Sequence, residues 1–223
     1  MQDLSTREEV FIRPSPAGDT LGGVAQKTRE SIVLCEAAGF DVILIETVGV
    51  GQSETVVKSM VDFFLLLMLS GAGDELQGIK KGIMEMADAL VITKADGDNV
   101  KPSTKAAAVY KSALHLFPAN TNEWIPQVAT CSAHSNEGID AIWDIVTSFE
   151  NKTKINGHFE DERKRQAIFW MHEQIKSTLF SKFYNSKDVK NLLTNLEEDV
   201  ISNRISPKSA AKAALLRYNS DTK

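Results

Sequence analysis

Four short apolar runs punctuate the first 130 residues, and segments of helical spacing fill the gaps between them. The runs lie within residues 41–46, 63–69, 89–93 and 125–130. This alternation constrains the fold more than any other feature. Parallel strands cannot be joined by tight turns, so each needs a helical crossover, and regular strand–helix alternation predicts a parallel α/β sheet with right-handed connections. Phe63–Leu69 is unbroken by polar residues and predicts a strand buried on both faces. Helices are expected over Thr28–Ala38 with Gly39 as the stop, near Ser53–Asp62, and over Ile79–Ala87. Asn99 and Pro102 open another, with Ala106, Val109, Tyr110, Ala113 and Leu114 on one face and Pro118 at its end. Ser135 or Asn136 is placed to cap the next, in which Ile139, Ile142, Trp143, Val146 and Phe149 recur at helical spacing.

The pattern changes after Glu150. Asn151–His158 is polar and reads as a linker, and everything beyond it reads as helix: Glu162–Phe183, Lys187–Leu196, and a third opened by Ser206-Pro207 and running through Leu216. The first of these carries two apolar stripes, Ile168, Met171, Ile175 and Leu179, and Phe169, Phe180 and Phe183. So wide an apolar surface must pack against something other than water. The expected division is a domain over 1–155 and a helical extension over 156–223. A net charge of −5 argues against nucleic acid as a partner, because that affinity rests on neutralising phosphates. The longest apolar run is far too short to cross a bilayer, which argues against a membrane role. Residues 1–10 contain four charges and no apolar core, unlike a secretory signal. Cys35 and Cys131 read as two separate reduced thiols of a cytosolic protein.

Three motifs carry chemistry. In Ile45-Glu46-Thr47-Val48-Gly49-Val50-Gly51-Gln52-Ser53-Glu54, an apolar strand delivers an acid to the edge where doubly wound sheets place ligands. Glu46 is the candidate for Mg²⁺, directly or through water, beside a phosphate. Gly49 and Gly51 allow the adjoining loop to move. Gln52 and Glu54 could position water or close a switch, and they serve equally well as ordinary loop and helix-cap residues. Thr93-Lys94-Ala95-Asp96 closes a buried strand. Guanine presents two donors, N1–H and the 2-amino group, which one carboxylate at Asp96 can accept together, and adenine offers no such pair. Lys94 can lay its stem over the base. Cys131-Ser132-Ala133 lies one strand–helix unit later, where a backbone N–H from Ser132 or Ala133 can donate to guanine O6. The segment Gly71–Gly82, with Asp74, Gln77 and Lys80, follows another strand and fits a loop that senses nucleotide state or a partner. Within the 223 residues there is no Gly-x-x-x-x-Gly-Lys-Ser/Thr phosphate-binding match.

Residues 46–54, Gly73-Asp74-Glu75-Leu76-Gln77-Gly78-Ile79-Lys80-Lys81-Gly82 and Thr93-Lys94-Ala95-Asp96-Gly97-Asp98-Asn99 together resemble the methylmalonyl-CoA-mutase-associated G proteins, also labelled ArgK-like or LAO/AO transport-system kinases. Phe11-Ile12-Arg13-Pro14 and Leu21-Gly22-Gly23 are similar to that family as well, so the resemblance covers almost the whole chain. It implies an α/β fold, a partial P-loop GTPase domain with a mostly parallel sheet and flanking helices, plus an all-α C-terminal extension. It implies a cytoplasmic protein (mitochondrial matrix in a eukaryote) that binds GTP or GDP with Mg²⁺. It further implies a homodimer formed through the extension, which assists loading of an adenosylcobalamin-dependent acyl-CoA mutase. On this resemblance Glu46 is the Walker-B-type acid, Gly49–Glu54 belong to the second switch, Gly71–Gly82 form the partner-signalling switch, and Lys94, Asp96, Ser132 and Ala133 hold guanine.

Two departures from the family pattern stand out. Met1 matches an internal methionine of the family, so the chain resembles a member cut after its first switch, and by itself it is expected to hydrolyse GTP no faster than buffer. A non-hydrolysing binding module and an amino-acid-transport kinase are the alternative readings. Thr93 stands where the family more often has an asparagine that ties the base loop to the phosphate loop, which weakens that tie.

Overall fold

The structure is a computed structural model that describes residues 4–14, 21–47, 54–71, 81–117 and 122–221. Among the described residues three parallel strands form a sheet in the order β1-β2-β3: Leu65–Leu69, Ala89–Thr93 and Gln127–Thr130. Leu65 faces Ala89 in the first pair, and Ala89 faces Gln127 in the second. Each strand begins within two residues of the expected place. The helices are α1 (Leu21–Ala37), α2 (Glu54–Lys58), α3 (Lys81–Met86), α4 (Val100–Leu114), α5 (Ile139–Ile155), α6 (His158–Asn185), α7 (Lys187–Ile201) and α8 (Pro207–Asp221). The chain clusters into two compact units, Met1–Ile168 and Phe169–Lys223.

β2 is the central strand, and its sequence Ala-Leu-Val-Ile is completely buried. Leu90 and Ile92 pack with Phe64, Leu66, Ile83, Met84, Tyr110 and Leu114 to form the core of the first unit. Burying one such aliphatic side chain contributes roughly 1.5–3 kcal/mol, so this cluster is what holds the sheet to its helices. Of the face expected on α4, Tyr110 and Leu114 are buried and Val109 is exposed, while Ser103 joins the buried side.

Three expectations are corrected. Residues 41–46 do not form a strand: they run without regular structure or a ladder partner, with Leu44 at 88% exposure. An apolar run becomes a strand only when a neighbour accepts its hydrogen bonds, and among the described residues none does. Among the described residues β1 is consequently an edge strand, and Leu67 and Leu69 on it are exposed, so β2 rather than β1 is the strand covered on both faces. The polar stretch 151–158 is not a linker. α5 continues through Ile155, helped by the Glu150–Lys154 pair one turn apart, and only Asn156 and Gly157 (φ 76°) separate it from α6.

A buried acid fixes the entry to the sheet. Asp88, 3% exposed, accepts from the Phe64 amide at 2.8 Å and pairs with Lys58 at the end of α2. Its own carbonyl accepts from Trp124 Nε1 at 2.8 Å. Burial pushes the Asp88 carboxyl above the usual carboxylate range, and Lys58 pulls against that. A folded-state pKa above the unfolded value means that the folded protein holds the proton longer, so this group costs stability as pH rises through that window. Lys58→Met removes the compensating charge and should deepen the cost. We expect a loss of about 1–3 kcal/mol at neutral pH, below the value for a fully buried pair because Lys58 is partly exposed. The loss should shrink as falling pH protonates Asp88. Urea unfolding at about pH 4.5 and about pH 8 checks the direction.

The second unit has its own small core. Val189 of α7 and Ala210 and Ala214 of α8 are buried, Arg217 pairs with Asp188 at 2.7 Å, and the Phe183 ring meets Tyr218 edge-on. Ser186 caps α7 by accepting from the Val189 amide. The apolar stripes of α6 stay open: Met171, Ile175, Leu179 and Phe180 are each about half exposed.

Candidate functional site

The carboxyl ends of β2 and β3 are stitched together before any ligand is considered. The Cys131 amide donates to the Ile92 carbonyl, and the Ala95 amide donates to the Cys131 carbonyl, both at 2.9 Å. Lys94-Ala95-Asp96 and Ser132-Ala133 therefore lie side by side, as their positions in sequence predict.

Ser132 is the pivot. It is wholly buried, its amide donates to the Glu137 carbonyl at 2.9 Å, and its hydroxyl accepts from the His134 and Ser135 amides at 3.1 Å each. The same hydroxyl donates to Asp96 Oδ2. That bond leaves Oδ1 of a half-buried carboxylate without a hydrogen bond among the described residues. Ala133 is exposed, and its amide has no acceptor among the described residues. Lys94 is also exposed and sits at φ 56°. An open carboxylate oxygen, an unused backbone donor and an exposed lysine stem thus stand on the loops that follow two neighbouring strands. A carboxylate acceptor beside a free N–H donor is an arrangement that can pair with the edge of a guanine and lacks the pattern for adenine.

The path around this site depends on Gly138. The expected cap of α5 at Ser135 or Asn136 is corrected: those residues belong to the turn around Ser132, and Gly138 at φ 76° occupies the N-cap position. A Cβ on Gly138 would lie 2.3 Å from the Thr130 carbonyl oxygen, so only glycine lets the chain pass there. A cavity of about 200 Å³ lies under the loop, bounded by Ala95, Val100, Thr104, Thr130, Cys131 and Ser132. Neither Lys94 nor Asp96 lines it. Cys131 is free, and burial pushes its thiol up, away from reactivity.

Of the other residues picked out from sequence, Glu46 is exposed in the unpaired segment before residue 48. Among the described residues no group of three or more His, Cys, Asp or Glu gathers to hold a metal. A single carboxylate is what Mg²⁺ shared with phosphate and water asks of a protein, and Glu46 has the chemistry for that. Glu54 opens α2. Gly49, Gly51, Gln52, Asp74, Gln77 and Lys80 lie outside the described residues. Sequence reasoning missed Gly138 and Asn99. Gly138 had a signal, a glycine standing immediately before a run of helical period. Asn99 was read only as a helix opener.

Relatives place these features in a known setting. The chain is 42% identical to the GTPase ArgK of Escherichia coli, over 95% of this chain and 64% of the relative. It is 44% identical to the mouse protein described as "Methylmalonic aciduria type A homolog, mitochondrial", over 99% of this chain and 53% of the relative. The chain thus spans roughly half to two thirds of the length of these relatives. A crystal structure described as an LAO/AO transport system kinase superposes with a TM-score of 0.73 at 39% identity, covering 95% of this chain and 67% of that one. The family model described as "Methylmalonyl Co-A mutase-associated GTPase MeaB" matches residues 1–188, and the chain belongs to that family.

Proposed function

We propose that the protein is a GTP-binding chaperone of a GTP-hydrolysing family that assists an adenosylcobalamin-dependent methylmalonyl-CoA mutase, this chain by itself being expected to hydrolyse GTP no faster than buffer. The observation that carries the reading is the Ser132–Asp96 clamp beside the unused Ala133 amide, a base site matched to guanine. Family membership supplies the connection to the mutase. In this reading Lys94, Asp96, Ser132 and Ala133 hold the base. Glu46 would hold Mg²⁺ at the phosphates, and Gln52 would orient water. Gly49, Gly51 and Glu54 form a switch beside them. Asp74, Gln77 and Lys80 belong to the loop that addresses the mutase.

The working form in this reading is a homodimer, with a GTPase domain over 1–155 and a dimerising extension over 156–223, acting in the cytoplasm or, in a eukaryote, in the mitochondrial matrix. The open seam of Ile168, Met171, Ile175 and Leu179 supports the dimer, since these residues recur every three or four positions along α6. Light scattering of the full-length protein tests both partnerships. A dimer mass at micromolar concentration is expected, as is a larger complex when methylmalonyl-CoA mutase is added, with a stability that differs between GDP and a non-hydrolysable GTP analogue. A monomer mass in a folded sample would remove the dimer from the reading, and no complex with either nucleotide would remove the mutase.

A further inference from the structure

Asn99 occupies the N-cap position of α4, where an asparagine side chain ordinarily accepts from the second or third amide of its helix. Here it makes no such bond. The third helical residue is Pro102, which has no N–H to offer, so part of the usual reward for capping is missing. The side chain turns back toward the base loop instead. Its Nδ2 donates to the Lys94 carbonyl at 2.6 Å, and its Oδ1 accepts from the Ser70 hydroxyl. A carbonyl can only accept, which fixes the orientation of the amide and leaves Oδ1 for Ser70. The Asn99 backbone N–H donates to the Asp96 carbonyl at 2.9 Å, closing the turn over Gly97–Asn99.

Asn99 therefore grips both ends of the base-reading segment, the Lys94 carbonyl with its side chain and the Asp96 carbonyl with its backbone. Lys94 needs such a grip, because a lysine at φ 56° is in a conformation that non-glycine residues hold only when their surroundings enforce it. Position 93 does not supply it: the Thr93 hydroxyl is directed to the Met68 carbonyl at 3.1 Å, joining β2 to β1. Ser70, the first residue after β1, orients the Asn99 amide and so anchors the loop to the sheet edge.

We propose that Asn99 is a positioning residue for guanine recognition: it holds Lys94 and Asp96 in reading geometry and is itself oriented by Ser70. The proposal rests on the guanine-site reading above and extends it to a residue that does not touch the base.

The test compares GDP with inosine diphosphate, which lacks the 2-amino group, by titration into the full-length protein. The parent should prefer GDP, because Asp96 reads that amino group. Asn99→Ala should weaken GDP binding about fivefold to thirtyfold, as expected for losing two hydrogen bonds. It should weaken inosine diphosphate less, so the preference narrows. Ser70→Ala removes one hydrogen bond and should narrow it about fourfold, and it carries the test if Asn99→Ala does not fold. Loss of both nucleotides in equal proportion would indicate general loosening and would overturn the proposal, as would affinities within about twofold of the parent. Asp96→Asn separates the two levels. If it leaves GDP binding unchanged, the guanine site and the role of Asn99 fall together. If it weakens GDP while Asn99→Ala and Ser70→Ala leave the preference intact, only the role of Asn99 falls.

Discussion

Replacing Asp96 with asparagine should lower affinity for GTP by about tenfold to a few hundredfold and raise the affinity for XTP relative to GTP. The carboxylate accepts twice, once from the Ser132 hydroxyl and, in the complex, from the guanine donors. An asparagine amide can satisfy Ser132, but its –NH2 would meet a donor on guanine. Xanthine carries a carbonyl in place of the 2-amino group and suits the amide. The size of the loss corresponds to one or two charge-assisted bonds. Because Asp96 is tied to a wholly buried serine rather than solvated, an effect within about twofold, the usual result for a neutral surface change, is not expected. Isothermal titration with both nucleotides reads the result, and unchanged GTP affinity would sink the assignment of the base site.

Gly138→Ala should be strongly destabilising, costing about 3–5 kcal/mol. Two penalties combine. The left-handed backbone at φ 76° disfavours any side chain, and the new Cβ would lie 2.3 Å from the Thr130 carbonyl oxygen, which must then move. For a chain of this size that loss corresponds to a fall in Tm of about 10 °C. Gly157 provides the control: it has the same φ of 76° with nothing within 4 Å, so Gly157→Ala should cost only the backbone penalty, about 1–2 kcal/mol. Equal losses at the two sites would show that the close approach to Thr130 does not matter. Thr130 and Cys131 lead directly into Ser132 and Ala133, so Gly138→Ala should also weaken guanine binding in whatever fraction stays folded.

Much of this was legible in the sequence. β2 falls at residues 89–93 as read, because an uninterrupted apolar run between two helical periods has few other uses. Lys94, Asp96 and Ser132 converge because the positions after successive parallel strands share one sheet edge. What the pattern could not supply were facts that depend on neighbours. Residues 41–46 have the composition of a strand, but pairing is a property of two segments. The polar run at 151–158 looked like a linker because its apolar content is low, yet intrahelical hydrogen bonds and the Glu150–Lys154 pair carry α5 through it. Ser132 was expected to act through its amide on the base, whereas its hydroxyl holds the base reader. Asn99 shows the same limit: a capping residue and a tertiary brace have the same sequence signature, and only the position of Lys94 and Ser70 tells them apart.

The central claim is that the edge formed by Lys94, Asp96 and Ala133 selects guanine. Titrating the unmodified full-length protein with GDP and with ADP under the same conditions tests it most directly. A site built to pair with the base's own donors rejects a base lacking them strongly, so GDP should bind at least about a hundredfold more tightly than ADP. Equal affinities, or binding of ADP alone, would contradict the account.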